Sequence, residues 1–267
     1  MGMKSSATGE TWNRPGPVDG RMNMPPLSST KLDMYLAEAT RPLFRALEDW
    51  MREGWDDSIP DPEHDVGFAF GQICGIDFAK ADPGTYSYLA TLTLADEAVP
   101  PGHYHSVLIT PHEGGLGKLE EFDPAEHKVA INELPSFSGS IVFSSHMLGR
   151  GDAIFPDHVF SGGHINSINM VAEGEVKLAA IDRLSFNMAS HQWPELFGRI
   201  RSIGQTGNYP GLPFVVPGHF ASGKVELIAQ RLLGFAETAA FREYAPRLGV
   251  DGIIRLDPAQ YTRLAMI

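Results

Sequence analysis

Segments with the apolar pattern of β-strands alternate with segments of helical periodicity along most of this chain. KVAINELPSFSGS is a strand followed by a Ser/Gly turn and the start of a helix over about residues 138–148. The pattern repeats in HVFSGG, HINSINMVAEG and VKLAAID, which are typical of a strand, a helix and a further strand. Such alternation predicts an α/β fold whose sheets are mixed, mostly parallel, and covered by helices on both faces.

Two extended stretches divide this alternating region. They lie around His105–Pro111 and around Gln205–Pro217, and the segment between them has strands and helices of its own. This arrangement is typical of one lobe inserted into another. It predicts two α/β lobes joined by two hinge crossings, in which residues 31–108 with 213–267 form lobe 1, residues 109–212 form lobe 2, and residues 1–30 are a flexible leader.

Single elements are predicted from local signals. LDMYL, beginning at Leu32, has the pattern of a short strand. Thr40 as a cap and Pro42 in the first turn begin a helix that ends at Gly54. VGFAFGQICGIDF is apolar and contains several glycines, which suggests a helix leading into a loop. YSYLATLTLA, HYHSVLIT, IRSIGQT, LPFVV and GIIRL are predicted strands, SGKVELIAQRLLGF is a predicted helix, and Asp257 begins a last one.

Charge and apolar run lengths exclude several classes of function. The net charge is -12 and the lysines and arginines are scattered, so nucleic-acid binding, which needs clustered cations, is excluded. Insertion into a membrane is not expected, because no apolar run approaches the roughly 20 residues that a span needs. The first thirty residues contain no hydrophobic core of a secretory signal, which leaves a cytoplasmic location open.

A serine-rich turn is the first candidate site. Ser136 and Ser138 flank the turn with Gly139, directly after a buried strand and before a helix. A helix N-terminus offers unpaired backbone N–H groups and a positive dipole end, and serine hydroxyls add donors, so an anion fits there. Helix capping by one serine explains the same residues equally directly.

Two further turns carry polar residues in equivalent places. His164 follows two glycines at the start of a predicted helix, and Asp182 ends the apolar strand LAAID. Ligands of open parallel sheets gather beyond the carboxyl ends of the strands. Each residue could therefore contact a ligand, and each could instead cap the element that follows it.

Three motifs that often indicate cofactors or catalysis are incomplete. GHFASGKV resembles a phosphate-binding loop, but Val225 stands where the Mg²⁺-binding hydroxyl should be. His103 and His105 resemble a metal-binding pair, yet the positions for the accompanying glutamate are Ile109 and Thr110. No Gly-x-Ser-x-Gly elbow surrounds a serine. We therefore expect no cofactor, no metal and no catalytic residue.

The ordered blocks of the sequence resemble the phosphonate/phosphate-type substrate-binding proteins of bacterial ABC importers. The resemblance rests on MY at Met34, GQICG at Gly71, HYHS at His103, AINELPSFSG, GGHINSINMVAEGEVKLAAID and YPGLPFVV. It covers the chain from about Leu32 to Tyr261. The last two blocks are the most specific, because they are long and follow in the expected order.

The resemblance implies a type II periplasmic-binding-protein fold with a small oxyanion, phosphonate- or phosphate-like, in the cleft between the lobes. It implies a monomer in the periplasm that captures its ligand without catalysis and delivers it to an ABC permease. The ligand-binding residues carried over are Tyr35, Gln72, Tyr104, Ser136, Ser138, Gly139, His164 and Asp182. Phe137 departs from the family, which often has a small polar residue there.

Two other functions remain open at the level of sequence. An enzyme acting on a small organophosphorus compound could use the same cleft, with His164 as a base and Asp182 as the residue that orients it. A cytoplasmic ligand-sensing module would fit the leader without a signal. Turnover of a phosphonate would favour the first alternative, and a cytosolic location of the native protein would favour the second.

Overall fold

The structure is a computed structural model that describes residues 30–53, 67–134 and 136–267. The predicted leader therefore lies outside the described residues, apart from Thr30, where the first strand begins.

The described residues contain twelve strands. They are β1 (Thr30–Lys31), β2 (Phe70–Gln72), β3 (Tyr86–Leu94), β4 (His103–Tyr104), β5 (Ser106–Pro111), β6 (Val129–Ile131), β7 (His158–Phe160), β8 (Leu178–Asp182), β9 (Ile200–Gln205), β10 (Tyr209–Pro210), β11 (Pro213–Pro217) and β12 (Val250–Ile254).

Helices follow most of these strands. They are α1 (Arg41–Glu53), α2 (Gly75–Lys80), α3 (Val142–Leu148), α4 (His164–Ala172), α5 (Arg183–Gln192), α6 (Pro194–Phe197), α7 (Ser222–Phe235), α8 (Ala239–Tyr244) and α9 (Ala259–Thr262). A single wide turn of π type (Phe137–Ile141) precedes α3, and short 3-10 turns cover Leu119–Glu121, Ala245–Leu248 and Arg263–Met266.

The strands form two five-stranded sheets, which confirms the predicted α/β architecture. The first sheet has the order β1-β2-β11-β3-β12, and the second has the order β7-β6-β8-β5-β9. The chain passes from the first sheet to the second through β4 and returns through β10. These two short strands pair with each other, Tyr209 opposite Tyr104 and Pro210 opposite His103.

The prediction that the sheets are mostly parallel is wrong in one respect. Strands β1–β2, β6–β7 and β6–β8 pair in parallel, but antiparallel pairs outnumber them among the described strands. Parallel neighbours need a crossover connection, which α3 and α4 supply between β6, β7 and β8. Strands β5 and β11 arrive directly from the other sheet instead, and each pairs antiparallel on both of its sides.

The limits of the two lobes stay a prediction, and β5 suggests where to refine it. The predicted limit after residue 108 would cut this strand, yet all of β5 pairs within the second sheet, where Ser106 lies opposite Asp182. We therefore propose to place the first limit between Tyr104 and Ser106.

The predicted strand LDMYL is not formed. Strand β1 ends at Lys31, and the next residues turn, with the Leu36 N–H donating to the Asp33 carbonyl at 3.3 Å. Leu36 is 49% exposed while Tyr35 is 3% exposed, so the segment buries only part of its apolar surface. The predicted helix start is correct: α1 begins at Arg41, directly after Thr40.

The segment VGFAFGQICGIDF was expected to form a helix leading into a loop, which is also wrong. Its middle is the buried strand β2, between β1 and β11, and its end is helix α2. A short apolar run is equally compatible with a strand and a helix when it is buried on all sides, because periodicity then carries no signal.

The hydrophobic core of the first sheet includes apolar residues from elements that flank the second sheet. Four buried side chains from the turn and helices of the second sheet belong to the same hydrophobic cluster as the first sheet's residues: Phe137, Val142, Leu184 and Met188. Two further clusters fill the faces of the second sheet. No helix in the described part of the chain is long and apolar enough to span a membrane.

Candidate functional site

Three strand-to-helix turns lie side by side at one edge of the second sheet. Strands β7, β6 and β8 are parallel neighbours, so their carboxyl ends meet at the same edge. The turn after β6 carries Ser138, helix α4 begins with His164 after β7, and Asp182 is the last residue of β8. The topology thus gathers three of the predicted residues from separate segments.

Ser138 and His164 contact each other directly. The Ser138 Oγ lies 2.9 Å from the His164 Nε2, and the roles of donor and acceptor depend on the tautomer of the ring. The turn is held in place from β5, where the Ser106 hydroxyl donates to the Ser138 carbonyl at 2.9 Å. The structure therefore brings together a hydroxyl and an imidazole at the ends of neighbouring strands.

The imidazole of His164 is neutral at physiological pH. Burial lowers the pKa of His164 to about 4, and the nearby Ala180 carbonyl opposes this shift only in part. The Nδ1 atom is buried and meets no hydrogen-bond partner among the described residues. A neutral ring keeps one N–H donor and one acceptor, so His164 can bind a ligand oxygen without adding a charge.

Asp182 has two roles in the structure. Its Oδ1 accepts from the backbone N–H groups of Leu184 and Ser185 at 2.8 and 3.0 Å, so it caps α5. Its Oδ2 accepts from the Tyr35 hydroxyl at 3.1 Å. This second bond joins β8 to the turn that follows β1, on the side of the first sheet.

Burial shifts the titration of this pair upwards. Asp182 is 2% exposed, and burial raises the pKa of its carboxyl to about 6, against the effect of its hydrogen bonds. Burial and then the charge of Asp182 raise the pKa of Tyr35 well above its ordinary value. The phenol is therefore a neutral donor, and the carboxylate is a buried acceptor.

Tyr104 belongs to the same cluster of polar groups. Burial and then the charge of Asp182 raise the pKa of its phenol well above the ordinary value, and the neighbouring Ser138 hydroxyl opposes the shift. Tyr104 is 3% exposed and lies on β4, the first crossing between the sheets. Tyr35, Tyr104, Ser138, His164 and Asp182 thus form one continuous group.

Ser136 and Gly139 support the turn. The Ser136 hydroxyl accepts from the Gly139 N–H at 3.4 Å and from the Asn132 side-chain amide at 3.3 Å, which is the capping arrangement. A Cβ on Gly139 would lie 2.5 Å from the Asn132 side chain. Glycine is therefore required at this position because any larger residue would collide with the side chain of Asn132.

Gln72 lies on β2 in the first sheet and is 1% exposed. Its Nε2 donates to the Leu212 carbonyl at 3.4 Å, and its Oε1 meets no partner in the part of the chain that the structure describes. The structure therefore places Gln72 against the return crossing, and no hydrogen bond joins its side chain to the group of five residues among the described residues.

Sequence reasoning missed three residues that shape the site. Asn132 directly follows β6 and binds the hydroxyls of Ser136 and Ser167 with the two ends of its amide. Ser106 holds the turn, and the Cys74 thiol lies beside the backbone N–H of Phe137. The asparagine could have been found from its position after a buried strand, whereas the contact of Cys74 depends on packing between distant segments.

The donor set is not that of a metal centre. Among the described residues, no group of three or more His, Cys, Asp and Glu side chains could hold a metal ion. The side chains that converge are phenols, a hydroxyl, a neutral imidazole and one carboxylate. The neutral donors suit an oxyanion bound through hydrogen bonds, and the carboxylate can only accept a hydrogen bond.

Comparison with a protein family confirms the resemblance predicted from the sequence. The model of the family described as "ABC transporter, phosphonate, periplasmic substrate-binding protein" matches residues 68–261. The family is periplasmic and consists of proteins that bind a small molecule for an ABC transporter, without catalysis. No curated protein matches the sequence.

Solved structures of binding proteins share the fold at low sequence identity. A binding component of an ABC phosphonate transporter from Pseudomonas aeruginosa is 13% identical with a TM-score of 0.67, covering 87% of this chain and 82% of its own. PhnD1 from Prochlorococcus marinus, in complex with methylphosphonate, is 12% identical with a TM-score of 0.60 and coverages of 84% and 80%. XAC2383 from Xanthomonas citri, bound to ATP, is 15% identical with a TM-score of 0.58 and coverages of 90% and 96%. The type II periplasmic-binding-protein fold is thereby confirmed.

Proposed function

We propose that this chain captures a small phosphate- or phosphonate-like oxyanion between its two sheets. The proposal starts from the family, because the chain belongs to the periplasmic phosphonate substrate-binding proteins of ABC transporters. The contact between Ser138 and His164 carries this proposal. These side chains come from two separate strand-to-helix connections, and the Ser138 Oγ and the His164 Nε2 contact each other.

The anion would bind at the edge where β6 and β7 end. Ser138 would donate its hydroxyl, the turn would donate backbone N–H groups, and His164 would donate from its neutral ring. Tyr35 and Tyr104 would donate from the opposite side, where their raised pKa values keep both phenols protonated. Neutral donors on two sides replace the water shell of an anion without placing a cation in the site.

Binding would involve an exchange of partners within the group. Ser138 now contacts His164, and Tyr35 contacts Asp182. A ligand would separate these pairs and take their hydrogen bonds, which requires the two sheets to move apart and then close again. Only the closed form lets both sides contact the ligand, so the ligand favours closure.

The decisive experiment is calorimetric titration of the purified protein with phosphate, phosphite, methylphosphonate and sulfate. We expect at least one phosphorus oxyanion to bind with a Kd of about 1 μM or lower, and sulfate to bind more weakly. Absence of binding to all four anions would overturn the proposal.

We also propose that the protein delivers this ligand to an ABC permease from the periplasm, as a monomer. The periplasmic character of the family supports this role. Fractionation of cells that express the native gene should recover the protein in the periplasm. Recovery in the cytosol would instead support a ligand-sensing role.

A further inference from the structure

Phe137 stands between the two serines of the turn and is completely enclosed. Its side chain is 1% exposed, although it follows a capping residue and lies on a turn between two elements. The ring packs edge-to-face on Tyr209, with centroids 5.2 Å apart and planes at 89°. Tyr209 lies on β10, in the return crossing between the sheets.

The ring of Phe137 fills space on the same side as the phenols of the site. It belongs to the hydrophobic cluster that also contains Tyr35 and Tyr104. Its own backbone N–H is close to the Cys74 thiol, so the first sheet's side contacts both the main chain and the side chain of this residue. The turn therefore presents an aromatic ring to the opposite wall in addition to its polar atoms.

A ligand anchored at Ser138 and His164 must direct any organic substituent away from the second sheet, because the turns block that side. The substituent would then meet the face that holds Phe137, Tyr104 and Tyr209. A close-packed cluster has no unfilled volume for extra carbon atoms, and enlarging its contents forces side chains out of their preferred rotamers.

We infer that Phe137 sets an upper limit on ligand size, so that the site takes inorganic oxyanions such as phosphate or phosphite and excludes phosphonates with a substituent larger than methyl. This inference rests on the proposed function and specifies its ligand class. Phe137 acts as a specificity-determining wall, and Ser138 and His164 remain the groups that bind the anion.

The test compares phosphite, phosphate, methylphosphonate, ethylphosphonate and phenylphosphonate by calorimetry on the wild type, Phe137→Ala and Phe137→Leu. For the wild type we expect phenylphosphonate to bind at least about 100-fold more weakly than phosphate. Phe137→Ala should bring this ratio to within about tenfold, and Phe137→Leu should fall between the two.

Phe143→Ala serves as the matched control, since Phe143 is also completely buried but packs against Phe155 in a different cluster. It should leave the ratio of the two affinities as in the wild type. If Phe137→Ala does not fold, Phe137→Leu, which keeps the site apolar, decides the matter.

Two results would overturn the inference while leaving the proposed function intact. The first is a wild type that binds phenylphosphonate as tightly as phosphate, and the second is a ratio that neither Phe137 variant changes. A wild type that binds none of these anions would contradict the proposed function itself, and the inference with it.

Discussion

The two sides of the candidate site are built in different ways. On the second sheet, Ser138 lies in the turn after β6, His164 begins the helix after β7, and Asp182 ends β8, so each is placed by its own strand-to-helix connection. On the other side, Tyr35 comes from a turn after β1 and Tyr104 from a crossing strand, and packing between distant segments brings them together. One side is therefore set locally and the other by the tertiary fold.

This difference also appears in the chemistry. The locally built side offers short polar groups and backbone N–H donors that any anion can use. The packed side offers buried phenols among apolar neighbours, which favours a ligand of one particular size. We expect affinity to depend mainly on the first side, and selectivity to depend on the packed side together with the ring of Phe137, which packs against Tyr209.

The strongest test of the locally built side is Ser138→Leu. The new side chain would occupy the place of the anion and remove one donor, so binding of phosphate should weaken by at least about 1,000-fold in calorimetry. His146→Leu, at an exposed position of helix α3, which follows the turn, should bind as the wild type does. Retention of affinity by a folded Ser138→Leu protein would contradict the assignment of this turn.

The second test uses pH to separate the two titrating groups of the site, the buried Asp182 and the half-buried His164. The pKa of Asp182 is raised from 3.8 to about 6, so the stability that its protonation contributes is present at low pH and is lost as the pH rises towards 6. The pKa of His164 is lowered from 6.5 to about 4, so its contribution is present above pH 6.5 and is lost as the pH falls towards 4. The two effects oppose each other over the same range.

Removing one titrating group should reveal the effect of the other on the pH dependence of stability. Relative to the wild type, Asp182→Asn should lose about 3 kcal/mol in the free energy of unfolding between pH 6.5 and pH 4, and His164→Asn should gain a similar amount. Urea unfolding at several pH values measures both differences. Asp251→Asn, at an exposed carboxyl on β12, is the control. Parallel pH profiles for all four proteins would show that neither group titrates as inferred.

A smaller effect is expected on the packed side. Tyr35→Phe removes the hydrogen bond to Asp182 and one donor to the ligand, so phosphate affinity should fall by about three- to tenfold. Tyr86→Phe, on β3 of the first sheet, is a matched control that should change nothing. A loss as large as that of Ser138→Leu would mean that the two sides do not differ as described.

The smallest effect separates the two serines of the turn. Ser136→Ala removes the cap of the turn and should lower the free energy of unfolding by about 1 kcal/mol, with phosphate affinity within about twofold of the wild type. Ser138→Ala should do the reverse and weaken binding by about tenfold at little cost in stability. Equal losses of affinity in both variants would show that Ser136 also binds the ligand.

The contrast between the two sides explains what the sequence could predict. Strand, turn and helix follow one another within a few residues around Ser138 and His164, and local patterns are enough to find them. Tyr35 was assigned to a strand that does not form, because the turn after Lys31 depends on contacts with residues far along the chain. Residues 69–73 were assigned to a helix because burial on all sides removes the periodic signal.

The roles of the proposed ligand side chains could be separated only in the structure. Ser136 and Ser138 are equivalent by sequence, and their hydrogen bonds alone show that the first caps the turn while the second contacts His164. The size limit set by Phe137 also depends on burial against Tyr209, which lies 72 positions along the chain by residue number. A local sequence pattern cannot predict a contact between residues that are so far apart along the chain.

The paired crossing strands β4 and β10 have a mechanical consequence. Tyr104 and Tyr209 lie opposite each other in this ladder, so the connection between the sheets and the proposed wall of the site are made of the same residues. Bending the connection would therefore change the position of a proposed ligand donor and of the aromatic partner of Phe137 at once. The stiffness of the connection and the affinity for the ligand therefore depend on the same residues, and a substitution in these strands should change both.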